Sequence, residues 1–145
     1  MSLENIKLYQ STDNTPGYDK SVHAMYFRYA KNLKVKDVQV QWEKPKSPKW
    51  QSAMYFQDVK GLKLEGFSGV PAKTDSGDAA VVLDQVEDAD IVDSTTAPGT
   101  KSFLKVKGAK SQNIYLHGNE LHVVQTPYQT DKDVKAGAVK ATDNY

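Results

Sequence analysis

The side chains best suited to chemistry lie in polar stretches between short apolar runs. Five acids, Asp13, Asp19, Glu43, Asp75 and Asp78, occupy these stretches. Hydrolysis of a glycosidic bond needs two carboxyl groups roughly 5 to 9.5 Å apart, one of them protonated to donate to the leaving oxygen. Acids in such stretches also form turns and solvate loops. Trp42 and Trp50 flank one stretch, where an indole ring can serve a sugar's apolar face or close the side of a stack of strands. His23 suits an anionic sugar or a solvated strand end. Arg28, the one arginine, suits a bidentate carboxylate contact or a local pair with Asp58. Tyr26 and Tyr55 suit a sugar platform or a stabilising aromatic stack. These six residues, His23, Tyr26, Arg28, Trp42, Trp50 and Tyr55, form the candidate binding set. No catalytic residue is assigned.

Other chemistries find no foothold. His117 and His122, with Glu120 between them, match no standard zinc spacing and have no third ligand in the sequence pattern. There is no glycine-rich phosphate loop and no Gly-x-Ser-x-Gly elbow. No metal and no cofactor is expected. With 19 basic and 18 acidic residues the net charge is +1, which lacks the electrostatic footprint of a nucleic-acid binder. The basic residues other than Arg28 are lysines, poorly suited to bidentate reading of guanine or phosphate. The absence of cysteine removes disulfides and thiolate metal sites. Neither a signal peptide nor an apolar run of membrane-spanning length is visible, so no membrane partner is expected.

The elements that position these residues follow from internal repetition. The stretch 53–64, Ala-Met-Tyr-Phe-Gln-Asp-Val-Lys-Gly-Leu-Lys-Leu, returns altered at 24–35 and 80–91, and more faintly at 103–116. One column, Ile6, Leu33, Leu62, Ala89 and Ile114, has members 27, 29, 27 and 25 residues apart. A second, Phe27, Phe56, Leu83 and Val106, steps by 29, 27 and 23. A period in this range belongs to solenoid repeats. Within each repeat apolar residues alternate, as in Met54/Phe56 and Leu62/Leu64, which indicates strands and excludes a helical solenoid. Corners such as Tyr29-Ala30-Lys31-Asn32 and Asp58-Val59-Lys60-Gly61 bend the chain where Asn or Gly can turn left-handed.

The expected fold is all-β, a right-handed parallel β-helix of about five coils and roughly 24 Å tall at ~4.8 Å per coil. An antiparallel sandwich or barrel competes, but has no reason to repeat its side chains at one period. A third column, Leu8, Val35, Leu64, Ile91 and Leu116, also points inward on this reading. Ala24, Tyr26 and Arg28 form an outer face with Ala53, Tyr55 and Gln57, then Ala80, Val82 and Asp84, so that Tyr26 lies over Tyr55. Residues 10–22, 42–52, 68–79 and 95–102 read as loops gathered on one side. Residues 1–145 form one domain, with Leu121-His122-Val123-Val124 strand-like and residues 126–145 a capping segment and tail. Because Asn5-Ile6-Lys7-Leu8 already belongs to a coil, the chain is expected to be the carboxyl-terminal part of a longer solenoid, with self-association through the open first coil as an option.

The run 22–38, Val-His-Ala-Met-Tyr-Phe-Arg-Tyr-Ala-Lys-Asn-Leu-Lys-Val-Lys-Asp-Val, and the run 80–89, Ala-Val-Val-Leu-Asp-Gln-Val-Glu-Asp-Ala, resemble the carboxyl-terminal coils of pectin lyase-like β-helix proteins. The nearest resemblance is to glycoside hydrolase family 28, the polygalacturonases and rhamnogalacturonan hydrolases. It implies a pectic polysaccharide partner and an extracellular or periplasmic setting. The family's catalytic aspartates and its Gly-His-Gly and Arg-Ile-Lys segments have no counterpart: there is no Asp-Asp pair, Leu116-His117-Gly118 is not Gly-His-Gly, and Asn5-Ile6-Lys7 lacks the arginine. Ser11-Thr12-Asp13 echoes Asn-Thr-Asp only as a turn. The chain is thus expected to support a fold and bind pectic polymer without catalytic groups of its own, either as part of such a hydrolase or as a non-catalytic carbohydrate-binding or structural module.

Overall fold

A computed structural model describes residues 1–10, 22–43, 49–73 and 76–145. Among the described residues there are nine strands: β1 (Ser2–Gln10), β2 (Met25–Arg28), β3 (Lys31–Trp42), β4 (Met54–Glu65), β5 (Ala79–Val92), β6 (Ser102–Lys107), β7 (Gln112–His117), β8 (Thr126–Thr130) and β9 (Val139–Thr142). No helix occurs among the described residues. Every strand pairing is parallel. The chain is a parallel β-solenoid of about four turns.

Two sides of the solenoid are sheets. The first stacks β2, the start of β4, the start of β5, β6 and β8. The second stacks β1, β3, the end of β4, the end of β5, β7 and β9. Single parallel bridges from Gln39 to Ser68, Thr95 and Glu120 mark the third, shorter side.

Three columns of left-handed backbone make the corners, so β4 and β5 bend without breaking. Tyr29, Asp58, Gln85 and Gly108 form one; Asn32, Gly61, Asp88 and Asn113 the next; Asn5, Asp37, Gly66, Asp93, Gly118 and Asp143 the third. A left-handed residue costs little for Gly and modestly for Asn or Asp, which dominate these columns. Tyr29 and Gln85 are the departures, each held by the coil beneath or above it: Tyr29 N–H donates to Gln57 O at 3.1 Å, and Gln85 Oε1 accepts from Lys110 N–H at 2.9 Å.

The apolar columns fill the interior. Leu33, Leu62, Ala89 and Ile114 are in register, as are Phe27, Phe56, Leu83 and Val106. The Phe27 and Phe56 rings stack with centroids 4.9 Å apart, and Phe56 is fully buried. Ile6 and Leu8 do not join these columns as expected. They pair with Val38 and Val40, while Leu3 lies beside Val35. The left-handed corners Asn5 and Asp37 must coincide, and that fixes β1 further along β3. Because β1 then supplies a strand to the second sheet but none to the first, the solenoid has about four turns and not the five the columns suggested. Ala53 and Ala80 also depart from the outer face: both are buried, since the chain turns there into the sheet, and the next member of the column, Phe103, packs toward Phe67.

The carboxyl-terminal segment is strand-forming. β8 lies on β6 and β9 on β7, so residues 126–145 add a further layer over the apolar end. Leu121-His122-Val123-Val124 is not a strand. It is a turn, closed by Val124 N–H to Leu121 O at 3.1 Å, with Leu121 anchored in the core.

Buried polar groups form a second ladder beside the apolar one. Ser94 and Asn119 are fully buried. Phe67 N–H donates to Ser94 Oγ at 3.2 Å, and Ser94 N–H to Asn119 Oδ1 at 2.9 Å. Asn119 N–H in turn donates to Asn144 Oδ1 at 3.1 Å. Asn119 Nδ2 donates to Ile91 O at 3.0 Å and to Asn144 Oδ1 at 2.9 Å. At this corner the backbone turns out of the sheet ladder, and side chains from the next coil replace the lost partners.

Candidate functional site

The outer surface of the first sheet gathers most of the candidate binding residues. Along each strand alternate side chains point outward, and parallel register stacks them. Tyr26, Tyr55, Val82, Lys105 and Gln129 form one column, and Arg28, Gln57, Asp84 and Lys107 its neighbour. Tyr26 lies over Tyr55 as the alternation predicts, with ring centroids 5.3 Å apart and planes 13° from parallel. His23, at the entry to β2, stacks on Tyr55 at 4.5 Å. Tyr26 is 47% exposed.

Hydrogen bonds fix the orientation of these rings. Tyr26 Oη donates to Gln57 Oε1, and Tyr55 Oη donates to Asp84 Oδ2 at 2.8 Å. Burial and the bond to the Asp84 carboxylate push the Tyr55 phenol well above its usual range, so it stays a hydroxyl donor. His23 Nδ1 accepts from Ser52 N–H at 3.3 Å. Burial lowers the His23 imidazole to about 4, opposed in part by Asp78 and reinforced by Lys107. His23 is therefore neutral near pH 7, with its proton on Nε2. A notch of about 80 Å³ opens beside it, lined by Asp78, Tyr55, Lys105 and Lys107 among others. Lys105 pairs with Asp131 at 3.7 Å.

Arg28 forms no ion pair with Asp58 among the described residues. Its guanidinium lies over the Tyr29 ring, 4.7 Å from the centroid, because the left-handed turn at Tyr29 folds that ring back along the strand. It borders the tyrosine stack and remains exposed.

The two tryptophans stand apart from this face. Trp42 lines a groove of about 460 Å³ on the third side with Tyr9, Gln41, Ser68 and Val70, and its Nε1–H donates to Val70 O at 2.9 Å. Trp50 is 0% exposed and packs behind Trp42 with centroids 5.4 Å apart. Its ring closes the side of the solenoid and offers no platform to solvent. The apolar surface of an indole placed where the chain re-enters the stack is worth more inside than out.

Of the loop acids, Asp13, Asp19 and Asp75 lie outside the described residues, as does Ser11-Thr12-Asp13. Asp78 bonds the Ser76 hydroxyl at 2.9 Å within its own turn, and Glu43 continues from β3 with its N–H on Gln10 O. His117 is on β7, bonded to Asp90 and stacked on Tyr115 at 3.9 Å, whereas His122 is in the exposed turn. No group of three or more potential metal ligands occurs among the described residues.

Sequence reading placed Asp84 on this outer face without a role and did not pick out Lys105 and Lys107. Their signal was the stacking of alternate positions on β5 and β6 beneath Tyr55 and Gln57, which becomes visible only once the register of β6 is fixed.

Comparison of the chain with protein families, curated proteins and solved structures finds no match. The solenoid architecture stands on the strand pairing itself. Membership of glycoside hydrolase family 28 has no support from these comparisons.

Proposed function

We propose that this chain is a carbohydrate-binding β-solenoid without catalytic groups of its own, and that its ligand is a pectic polysaccharide held on the outer surface of the first sheet. One observation carries the reading: Tyr26 and Tyr55 stack in register with His23 on the outer surface of the sheet, Tyr26 exposed and Tyr55 half-buried. Rings held in fixed orientation present the exposed part of Tyr26 and the outer edge of the stack to sugar C–H groups at low entropic cost. Arg28, Lys105 and Lys107 border the rings, and a cationic border suits an acidic polymer. Placement as the carboxyl-terminal coils of a family 28-like hydrolase rests on the resemblance of residues 22–38 and 80–89 alone, and is part of the same proposal.

The test is calorimetric titration with oligogalacturonides and with rhamnogalacturonan fragments, the products being checked by mass spectrometry. Binding without cleavage, lost in Y26A/Y55A, is expected. Cleavage would overturn the non-catalytic assignment, and undiminished binding by the double variant would move the ligand to another surface.

A further inference from the structure

The first strand of the solenoid is bonded along one edge. β1 lies against β3 from Ser2 beside Lys34 to Gln10 beside Trp42, and among the described residues no strand pairs with its other side. The side chains register the difference. Val35, Val38 and Val40 on β3 are buried, whereas Leu3, Ile6 and Leu8, their partners in register on β1, are half-buried. Met1 is 83% exposed and Tyr9 59%. A strand edge with alternating apolar residues and free backbone groups is a template for a further strand unless it is guarded.

The opposite end of the solenoid is guarded. There β8 carries Pro127, which has no N–H to offer, and is followed by Asp131, Lys132 and Asp133. β1 has no proline, and its two charged residues, Glu4 and Lys7, are of opposite sign.

Those charges select the occupant. The left-handed bend at Asn5 switches the facing of β1, so that Leu3 points inward before it and Ile6 and Leu8 after it. Laid antiparallel against a second β1, the strand matches itself in both facing and charge when the two-fold axis runs between Asn5 and Ile6. Leu3 then stands opposite Leu8 of the partner subunit, and Glu4 opposite Lys7 of the partner subunit. Bend also meets bend. A slip by one residue sets inward side chains against outward ones, and a slip by two parts the charges.

We propose that β1 pairs in this register with β1 of a second copy of the chain, joining two solenoids head to head. A two-fold contact uses the same patch on both copies and therefore closes as a dimer. Stacking β1 on the carboxyl-terminal layer of another copy is a poorer match. Superposing the corners Asn5 and Asp143 sets Glu4 beside Thr142 and Ser2 beside Lys140, which pairs no charges. The contact lies at the end of the stack and does not depend on the carbohydrate reading.

The experiment uses the full chain. Sedimentation velocity over a wide concentration range should show a species of twice the chain mass that grows with concentration and stops there. Glu4 and Lys7 are exposed, so K7E and E4K/K7E should keep the fold, which circular dichroism and thermal melting check. K7E sets glutamate opposite Glu4 and should raise the dimer dissociation constant about tenfold. The charge-swapped E4K/K7E should recover it, which a merely structural effect of either substitution would not produce. Glu4 also pairs with Lys34 of its own chain at 3.8 Å, so a second readout places no lysine there. The chain has no cysteine, and a mixture of E4C and K7C should form a disulfide-linked heterodimer faster than either variant links to itself. Four results would each overturn the proposal: a monomer at every concentration, which leaves the edge to an upstream coil; open-ended growth, which means head-to-tail stacking; a dimer untouched by K7E; or equal cross-linking of mixed and single cysteine variants.

Discussion

Replacing Asn119 by leucine tests whether the buried polar ladder holds the third corner together. The substitution nearly keeps side-chain volume and removes the amide. Two fully buried backbone groups then lose their partner: Ser94 N–H, which donates to Asn119 Oδ1 at 2.9 Å, and Ile91 C=O, which accepts from Nδ2 at 3.0 Å. Asn144 Oδ1 loses the amide donor at 2.9 Å but keeps the backbone N–H of residue 119 at 3.1 Å. A buried unpaired group costs about 1–3 kcal/mol, so the pair should cost about 4 kcal/mol. Leucine recovers part of this through apolar burial, leaving about 3 kcal/mol net. For a chain of this length that is a fall of roughly 10 °C in melting temperature. Urea unfolding followed by circular dichroism gives the free energy, and thermal melting gives the shift. A midpoint within about 2 °C of the parent would refute the reasoning, because it would mean that water or a shifted backbone satisfies both groups. Asn144→Ala removes a bond to Leu116 O and the acceptor of Asn119 N–H and Nδ2, but in the outermost layer, where water can replace part of them, and should cost less, about 2 kcal/mol.

Two further outcomes follow from the corners and the notch. Gly108 is left-handed, and an added Cβ would lie 2.5 Å from Gln85 Cδ and 2.8 Å from the Gln85 backbone nitrogen. Gly108→Ala should therefore cost about 3 kcal/mol from backbone strain plus overlap, while Gly137→Ala, left-handed with nothing within 4 Å among the described residues, should cost about 1 kcal/mol; paired urea titrations compare them. His23 titrates near 4 in the fold against 6.5 ordinarily. The unfolded chain consequently binds more protons between these values, and stability contributed by neutral His23 is intact above pH 6.5 and declines as pH falls toward 4. The stability difference between parent and His23→Gln should move in that window and stay flat above it, and the imidazole resonance in NMR should show a midpoint near 4; a midpoint of 6 or higher would contradict the burial of the ring.

Much of the architecture was legible because parallel stacking writes itself into sequence. Equivalent strands in successive coils place equivalent side chains in the same environment, so Phe27, Phe56, Leu83 and Val106 share a type at a near-constant interval, and Tyr26 falls over Tyr55. Alternation then decided which side of each strand faces water, and Asn and Gly announced the left-handed corners. The tyrosine face could be read from these rules alone.

Tertiary structure decided what local pattern leaves degenerate. Ile6-Lys7-Leu8 fits beside Leu33-Lys34-Val35 or beside Val38-Gln39-Val40 equally well by alternation, and only the need to superpose the corners Asn5 and Asp37 selects the second. Trp50 and Trp42 carry the same chemistry in sequence, yet one is enclosed and the other lines a groove, because enclosure depends on what the neighbouring coil places against each ring. Asn119 reads as an ordinary turn residue until the coils above and below bring Ser94, Ile91 and Asn144 to its amide. The lysines of β3 and β4 look like scattered charge until register sets Lys31 beside Lys60 and Lys34 beside Lys63, with Glu87 and Asp90 next in the same columns. In a solenoid the sequence determines which residues recur and which way they face, while the stacking of one coil on the next determines which neighbours they meet, because those contacts join residues some 25 to 30 positions apart.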